Sequence, residues 1–182
     1  ETDMDIEHVF VVDFGKCAAA MYNPITNHAG TLPHEEVLEL HKTLPEGSTL
    51  VCENSHLGTP RKERSLAQPF TAEQLLALYL LCSRANITVK LFPQKSTPRA
   101  IGFTNELIQA KKIEIPPFVE LDENGQLKKT DPNDTWAIWV FLKHHPNTSM
   151  RNPPADFDTN PLLVGAHDYK DHTNYLCNVA RS

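Results

Sequence analysis

Apolar and polar positions alternate between two rhythms along the chain. Val9–Asp13, Val-Phe-Val-Val-Asp, is a short β-branched run that ends abruptly in a carboxylate. Such a run reads as a strand buried on both faces. A second apolar run predicts strand two over Lys16–Tyr22, and Asn23-Pro24 opens a turn before strand three over His28–Leu32. The short links imply an antiparallel meander. The rhythm then changes: Val37, Leu38, Leu40, His41 and Leu44 recur at helical spacing, which predicts a helix over His34–Leu44. Thr49–Glu53, Thr-Leu-Val-Cys-Glu, repeats the opening pattern of apolar run and terminal acid.

Beyond a polar loop over 54–68, Thr71 and Gln74 form a capping-box pair ahead of a leucine-rich helix. Asn86 suits its C-terminal cap. Ile87–Phe92 predicts a further strand, and a helix between two strands implies a parallel pair. A helix is expected over Gln94–Gln109. Ile113–Lys129 reads as an excursion from the sheet, with Asn124-Gly125 as a hairpin signal. Thr130-Asp131-Pro132-Asn133-Asp134 opens the next helix, with Asp131 expected as N-cap and Pro132 at the first helical position. The expected organisation is a compact domain over 1–145, a Pro/Asn-rich loop over 146–165 and a last helix over 166–182.

Composition narrows the function classes only slightly. At 182 residues, 40% apolar and 22% charged, the chain has ordinary globular proportions. No apolar run reaches the roughly 20 residues that span a bilayer, and the acidic start is no signal peptide. The chain opens without Met and ends inside an expected helix, which reads as a fragment. The four cysteines, Cys17, Cys52, Cys82 and Cys177, are widely spaced and contain no C-x-x-C pair. That argues for a reducing compartment, cytoplasmic or nucleoid-associated, and against structural zinc. A net charge of −6 does not advertise a nucleic-acid binder, though a carboxylate cluster that holds metal ions is acidic by design.

Asp13 and Glu53 each terminate an expected strand, and Asp131 and Asp134 lie one turn apart at a helix start. Strand ends and helix starts border the crevice of an α/β sheet. Four acids converging there would repel one another unless cations neutralised them. Oxygen ligands select Mg²⁺ or Mn²⁺, and two such ions would activate water or a hydroxyl and stabilise a leaving oxygen in phosphodiester displacement. Each acid also has a plainer reading. Asp13 can start a turn, Asp131 and Asp134 can cap a helix, and Glu53 can pair with a basic side chain.

The ordered set resembles the RuvC-like version of the ribonuclease H fold: an α/β mixed sheet, antiparallel meander plus parallel strands, flanked by helices. Lys129-Thr130-Asp131-Pro132-Asn133-Asp134-Thr135 is similar to the Lys-Thr-Asp-x-x-Asp-Ala motif of DEDD-type insertion-sequence transposases and Piv/MooV-type DNA invertases. Val89–Arg99 resembles their strand and following Pro-Gln turn. The resemblance implies metal-dependent cleavage and joining of DNA, with Asp13, Glu53, Asp131 and Asp134 as catalytic metal ligands and two Mg²⁺ or Mn²⁺ ions as cofactors. It implies DNA as partner, a guide RNA, and assembly as a homodimer or tetramer. Arg61, Lys62, Arg64, Lys95, Arg99, Lys128 and Lys129 are the candidate contacts to phosphates. A stand-alone junction resolvase would use the same acids, and a binding scaffold would keep the fold without the chemistry.

Overall fold

The computed structural model describes residues 5–14, 18–53 and 78–150. Five strands form one sheet: β1 (Val9–Phe14), β2 (Ala18–Asn23), β3 (His28–Pro33), β4 (Thr49–Glu53) and β5 (Thr88–Phe92). Their order is β3-β2-β1-β4-β5. β1 to β3 are the expected antiparallel meander, and β4 and β5 extend it with parallel strands. Helices α1 (His34–Leu38), α2 (Thr97–Gln109) and α3 (Asp131–His144) flank the sheet, with a further helical stretch over 78–84.

Strand parity sorts the core into two layers. Phe10 and Val12 of β1, Leu50 and Cys52 of β4, and Val89 and Leu91 of β5 pack with Val37, Leu38, Leu78 and Cys82 on one face. Val9, Val11, Val51 and Phe92 pack on the other, against Ala100 of α2 and Trp136, Ala137, Val140 and Phe141 of α3. β1 is buried on both faces, as its unbroken apolar run requires. Cys52 and Cys82 are free and buried, serving as small apolar side chains.

Several expected boundaries move for local reasons. The helix expected over His34–Leu44 stops at Leu38 and gives way to a 3-10 turn at Leu40–Lys42. The His41 imidazole, 2.7 Å from the Leu38 carbonyl, takes the acceptor that an α-helical amide of Lys42 would use. That amide bonds to the Glu39 carbonyl instead, at 3.0 Å. The helix expected from Gln94 begins with a 3-10 turn, Gln94–Ser96, and becomes α-helical at Thr97. Pro98, which lacks an amide hydrogen, sits in the first turn where none is needed. Asn86 caps as expected, at φ +61°, with the Ile87 amide returning to the Cys82 carbonyl at 3.0 Å.

The excursion after α2 is a loop closed by a single antiparallel bridge, Leu121 to Leu127. Asp122 Oδ1 accepts from the amides of Asn124 and Gln126, and Gly125 supplies a φ of +77°. Buried Asn133 ties this loop to α3: its side-chain nitrogen donates to the carbonyls of Glu120 and Lys128 at 2.8 and 3.0 Å. The expected capping box at Thr71 and Gln74, and the chain beyond 150 with its expected loop and last helix, lie outside the described residues. No helix among the described residues is long and apolar enough to cross a membrane.

Candidate metal centre

The sheet alone brings the two strand-terminal acids together. Parallel pairing sets Val11 beside Val51 and Val12 beside Cys52, and one further step in that register sets Asp13 beside Glu53. Neighbouring strands run about 4.8 Å apart. By parity, Asp13 shares a face with Val9 and Val11, and Glu53 shares it with Val51. That is the face covered by α2 and α3. Both acids stand at the carboxyl ends of parallel strands, where an open α/β sheet leaves its crevice.

The start of α3 supplies the other pair. Asp131 was expected to be the N-cap, and the structure corrects this by one residue. Thr130, in extended conformation, is the cap, and its hydroxyl oxygen accepts from the Asn133 amide at 3.3 Å. The cap is therefore satisfied without either aspartate, which weakens the plain reading of Asp131 and Asp134 as capping groups. Three residues apart, they project from one face of the first turn. The positive end of the helix dipole favours acids there by roughly 0.3–1 kcal/mol.

One carboxylate oxygen from each of Asp13, Asp131 and Asp134 lies within 4.8 Å of the others. Asp131 is exposed, whereas Asp13 and Asp134 are partly buried. Burial, then the charges of Glu53, Asp131 and Asp134, push the Asp13 carboxyl up to about 8. A hydrogen bond to Asp131 adds to the rise. Asp134 rises to about 6, through burial and then the charges of Asp131 and Glu53. Glu53 is not in the tight triple, yet both aspartates feel its charge. Its Oε2 accepts from the Thr97 hydroxyl at 2.5 Å, which fixes the carboxylate from the first turn of α2.

This donor set fits a hard divalent cation. It is all oxygen, and it gathers like charges into a partly dehydrated crevice. A carboxyl group held near 8 is one that needs an external positive charge to ionise at neutral pH.

The expected phosphate contacts are dispersed. Lys95 lies in the 3-10 turn before α2, next to Ser96 and Thr97, and Arg99 lies in the first turn of α2 with its guanidinium 5.6 Å above the Phe141 ring. Lys128 sits 4.0 Å from Glu120, and Lys129 is exposed one residue before the cap. Arg61, Lys62 and Arg64 lie outside the described residues. Sequence reasoning missed Thr97, Thr130 and Asn133 as positioning residues. Thr130 was legible as a capping residue type, but Asp131 beside it is an equally good one. Nothing local in the sequence connects Thr97 to an acid 44 positions earlier.

No family model matches the chain, and no curated protein matches it in sequence. Among solved structures, T. thermophilus RuvC in complex with a Holliday junction substrate is similar at 14% identity and a TM-score of 0.46. The match covers 79% of this chain and 100% of that one. A second Thermus thermophilus RuvC structure is similar at 13% identity and 0.46, over 79% of this chain and 99% of that one. Likeness at this level carries no weight on activity. The fold class stands on the strand order and directions themselves: an antiparallel meander extended by two parallel strands and flanked by helices, the mixed α/β sheet expected from the sequence.

Proposed function

We propose that this chain is a divalent-metal-dependent nuclease domain that cuts phosphodiester bonds at the Asp13, Glu53, Asp131 and Asp134 carboxylates. The observation that carries the reading is the convergence of Asp13, Asp131 and Asp134 oxygens to within 4.8 Å, with Glu53 beside them. These four side chains would hold Mg²⁺ or Mn²⁺. Two such ions, when bound, supply activation of water or a hydroxyl and stabilisation of the leaving oxygen.

The chain's own residues then have defined tasks. Asp13, at the end of a strand buried on both faces, is the fixed point of the site. Its proton must leave before it can act as a ligand. The Thr97 hydroxyl keeps Glu53 oriented, and the Thr130 cap leaves Asp131 and Asp134 free of the capping role. Asn133 holds the loop bearing Lys128 and Lys129 against the first turn of α3.

The finer reading is a DEDD-type transposase or recombinase domain that cleaves and joins DNA strands. The run Lys129-Thr130-Asp131-Pro132-Asn133-Asp134 supports it. A guide RNA and assembly as a dimer or tetramer belong to that finer reading. The same acids would serve a stand-alone nuclease of branched DNA, so substrates separate the two. The test is cleavage of linear and four-way-junction DNA in Mn²⁺ by wild type, Asp13→Asn and Glu53→Gln. Loss of cleavage in both variants, with unfolding still cooperative, is the expected result. Cleavage undiminished in either variant removes that acid from the chemistry. Preference for the junction favours the resolvase reading over the transposase.

A further inference from the structure

We propose that a cleft bordering the first turn of α2, whose Thr97 orients Glu53, receives one nucleotide of the substrate strand, with its phosphate on Arg99. The choice of a nucleic-acid strand rests on the nuclease reading above. The cleft has a volume of about 610 Å³ and is bordered by Pro93, Ser96, Arg99, Phe141, His145 and Ser149, among others. That size lies within the usual range of roughly 300–1,000 Å³ for small-ligand sites.

Its position follows from the chain. Ser96 lines the cleft, and Thr97, the next residue, donates to Glu53. Consecutive Cα atoms are about 3.8 Å apart, so the cleft lies one residue along the chain from the hydroxyl that orients Glu53. A strand lying across the carboxylates would continue into it.

Its chemistry suits a nucleotide. Among the described residues that line the cleft there is no carboxylate, and Arg99 is the one permanent charge. The guanidinium is held 5.6 Å above the Phe141 ring, while His145 stacks on that ring with centroids 4.3 Å apart. Phe103 packs edge-on against His144 and His145, at 5.4 and 4.7 Å. The aromatic cluster thus fixes both the cation and the imidazoles before any ligand arrives, which lowers the ordering cost of binding. The Nδ1 atoms of His144 and His145 lie 3.0 and 3.1 Å from the carbonyls of Val140 and Phe141. A carbonyl only accepts, so each Nδ1 carries a hydrogen, and in the uncharged form of each ring Nε2 is an acceptor, suited to a base amino group. Ser96, Asn147 and Ser149 add neutral hydrogen-bonding groups. A planar guanidinium for phosphate and imidazole acceptors for a base edge are the complementary halves of a nucleotide site.

The experiment is fluorescence anisotropy of a labelled 20-nucleotide single-stranded DNA over a salt series, with Ca²⁺ replacing Mg²⁺ throughout. Arg99→Gln should weaken binding about 5–10-fold and flatten the salt slope by about 0.7, the contribution of one phosphate contact on a single strand. Arg99→Lys keeps the charge and should restore the slope. His145→Phe keeps the ring stack but loses the acceptor, and should weaken binding about 3-fold with the slope unchanged. Lys42→Gln removes an equal charge from a residue whose partner is Glu39, outside the cleft, and should change binding by less than about 2-fold. Equal affinity and slope for wild type and Arg99→Gln would overturn the proposal. So would an equal loss in Lys42→Gln, or no binding by wild type in low salt. Cleavage in Mn²⁺ reads the nuclease assignment separately: Arg99-dependent binding without cleavage leaves the cleft standing and the nuclease reading overturned.

Discussion

Replacing Asp13 with Asn should make the metal-free protein more stable, the opposite of what removing a well-packed structural group would do. The carboxyl group has an ordinary value of 3.8 and is pushed up to about 8 in the fold, first by burial and then by three neighbouring carboxylates. The folded protein therefore binds a proton that the unfolded chain has released. Stability from this group is fully present below pH 3.8 and is lost as pH rises towards 8. Taken at face value, the displacement corresponds to a ceiling of about 6 kcal/mol. Asp13 is at a strand end with partial access to water and its neighbours can relax, so about 1–2 kcal/mol is a fairer expectation. For a domain of this size that is an increase in Tm of roughly 2–8 °C. The assay is thermal unfolding in EDTA from pH 4 to 8.5, repeated with Mn²⁺. The variant should match wild type near pH 4 and exceed it increasingly towards pH 8. Mn²⁺ should raise the Tm of wild type and leave the variant nearly unmoved. A variant less stable than wild type at pH 8 in EDTA, or equally stabilised by Mn²⁺, would refute the electrostatic account.

Three further expectations follow from particular contacts. Thr97→Val removes the hydroxyl that orients Glu53 and should lower Mn²⁺-dependent cleavage about 10-fold, while Thr97→Ser retains most of it; equal rates for Val and Ser variants would dismiss the contact. Thr130→Ala removes the cap of α3 and should cost about 1 kcal/mol in urea unfolding, with Thr130→Ser close to wild type. Mn²⁺ affinity measured by calorimetry should rise about tenfold per pH unit between pH 6 and 8, because Asp13 must release its proton to bind, and a flat profile would contradict that coupling.

Much of the sheet is legible in the residues, because period-two runs and turn chemistry act locally. Val9–Asp13 and Thr49–Glu53 announce both the strands and the acids at their ends, and Asn23-Pro24 marks the meander turn. What is lost is whatever depends on competition for a single hydrogen bond. His41 captures the Leu38 carbonyl and ends α1 early, though the apolar spacing runs on to Leu44. Thr130 and Asp131 are equivalent caps on composition, and only the fold shows that Thr130 takes the role. The proximity of Asp13 to Asp131 depends on α3 packing across the second face of the sheet, which pattern alone does not reveal. Thr97 was invisible for the same reason: its meaning lies in a strand register formed with a distant part of the chain.

The most direct test of the central claim is where a divalent ion sits. Crystals soaked in Mn²⁺ and measured at a wavelength sensitive to manganese should show an anomalous peak within about 2.2 Å of carboxylate oxygens from Asp13 and at least one of Asp131 and Asp134. A map with no peak between those side chains at saturating Mn²⁺, or with a lysine or arginine side chain filling the space, would contradict the account.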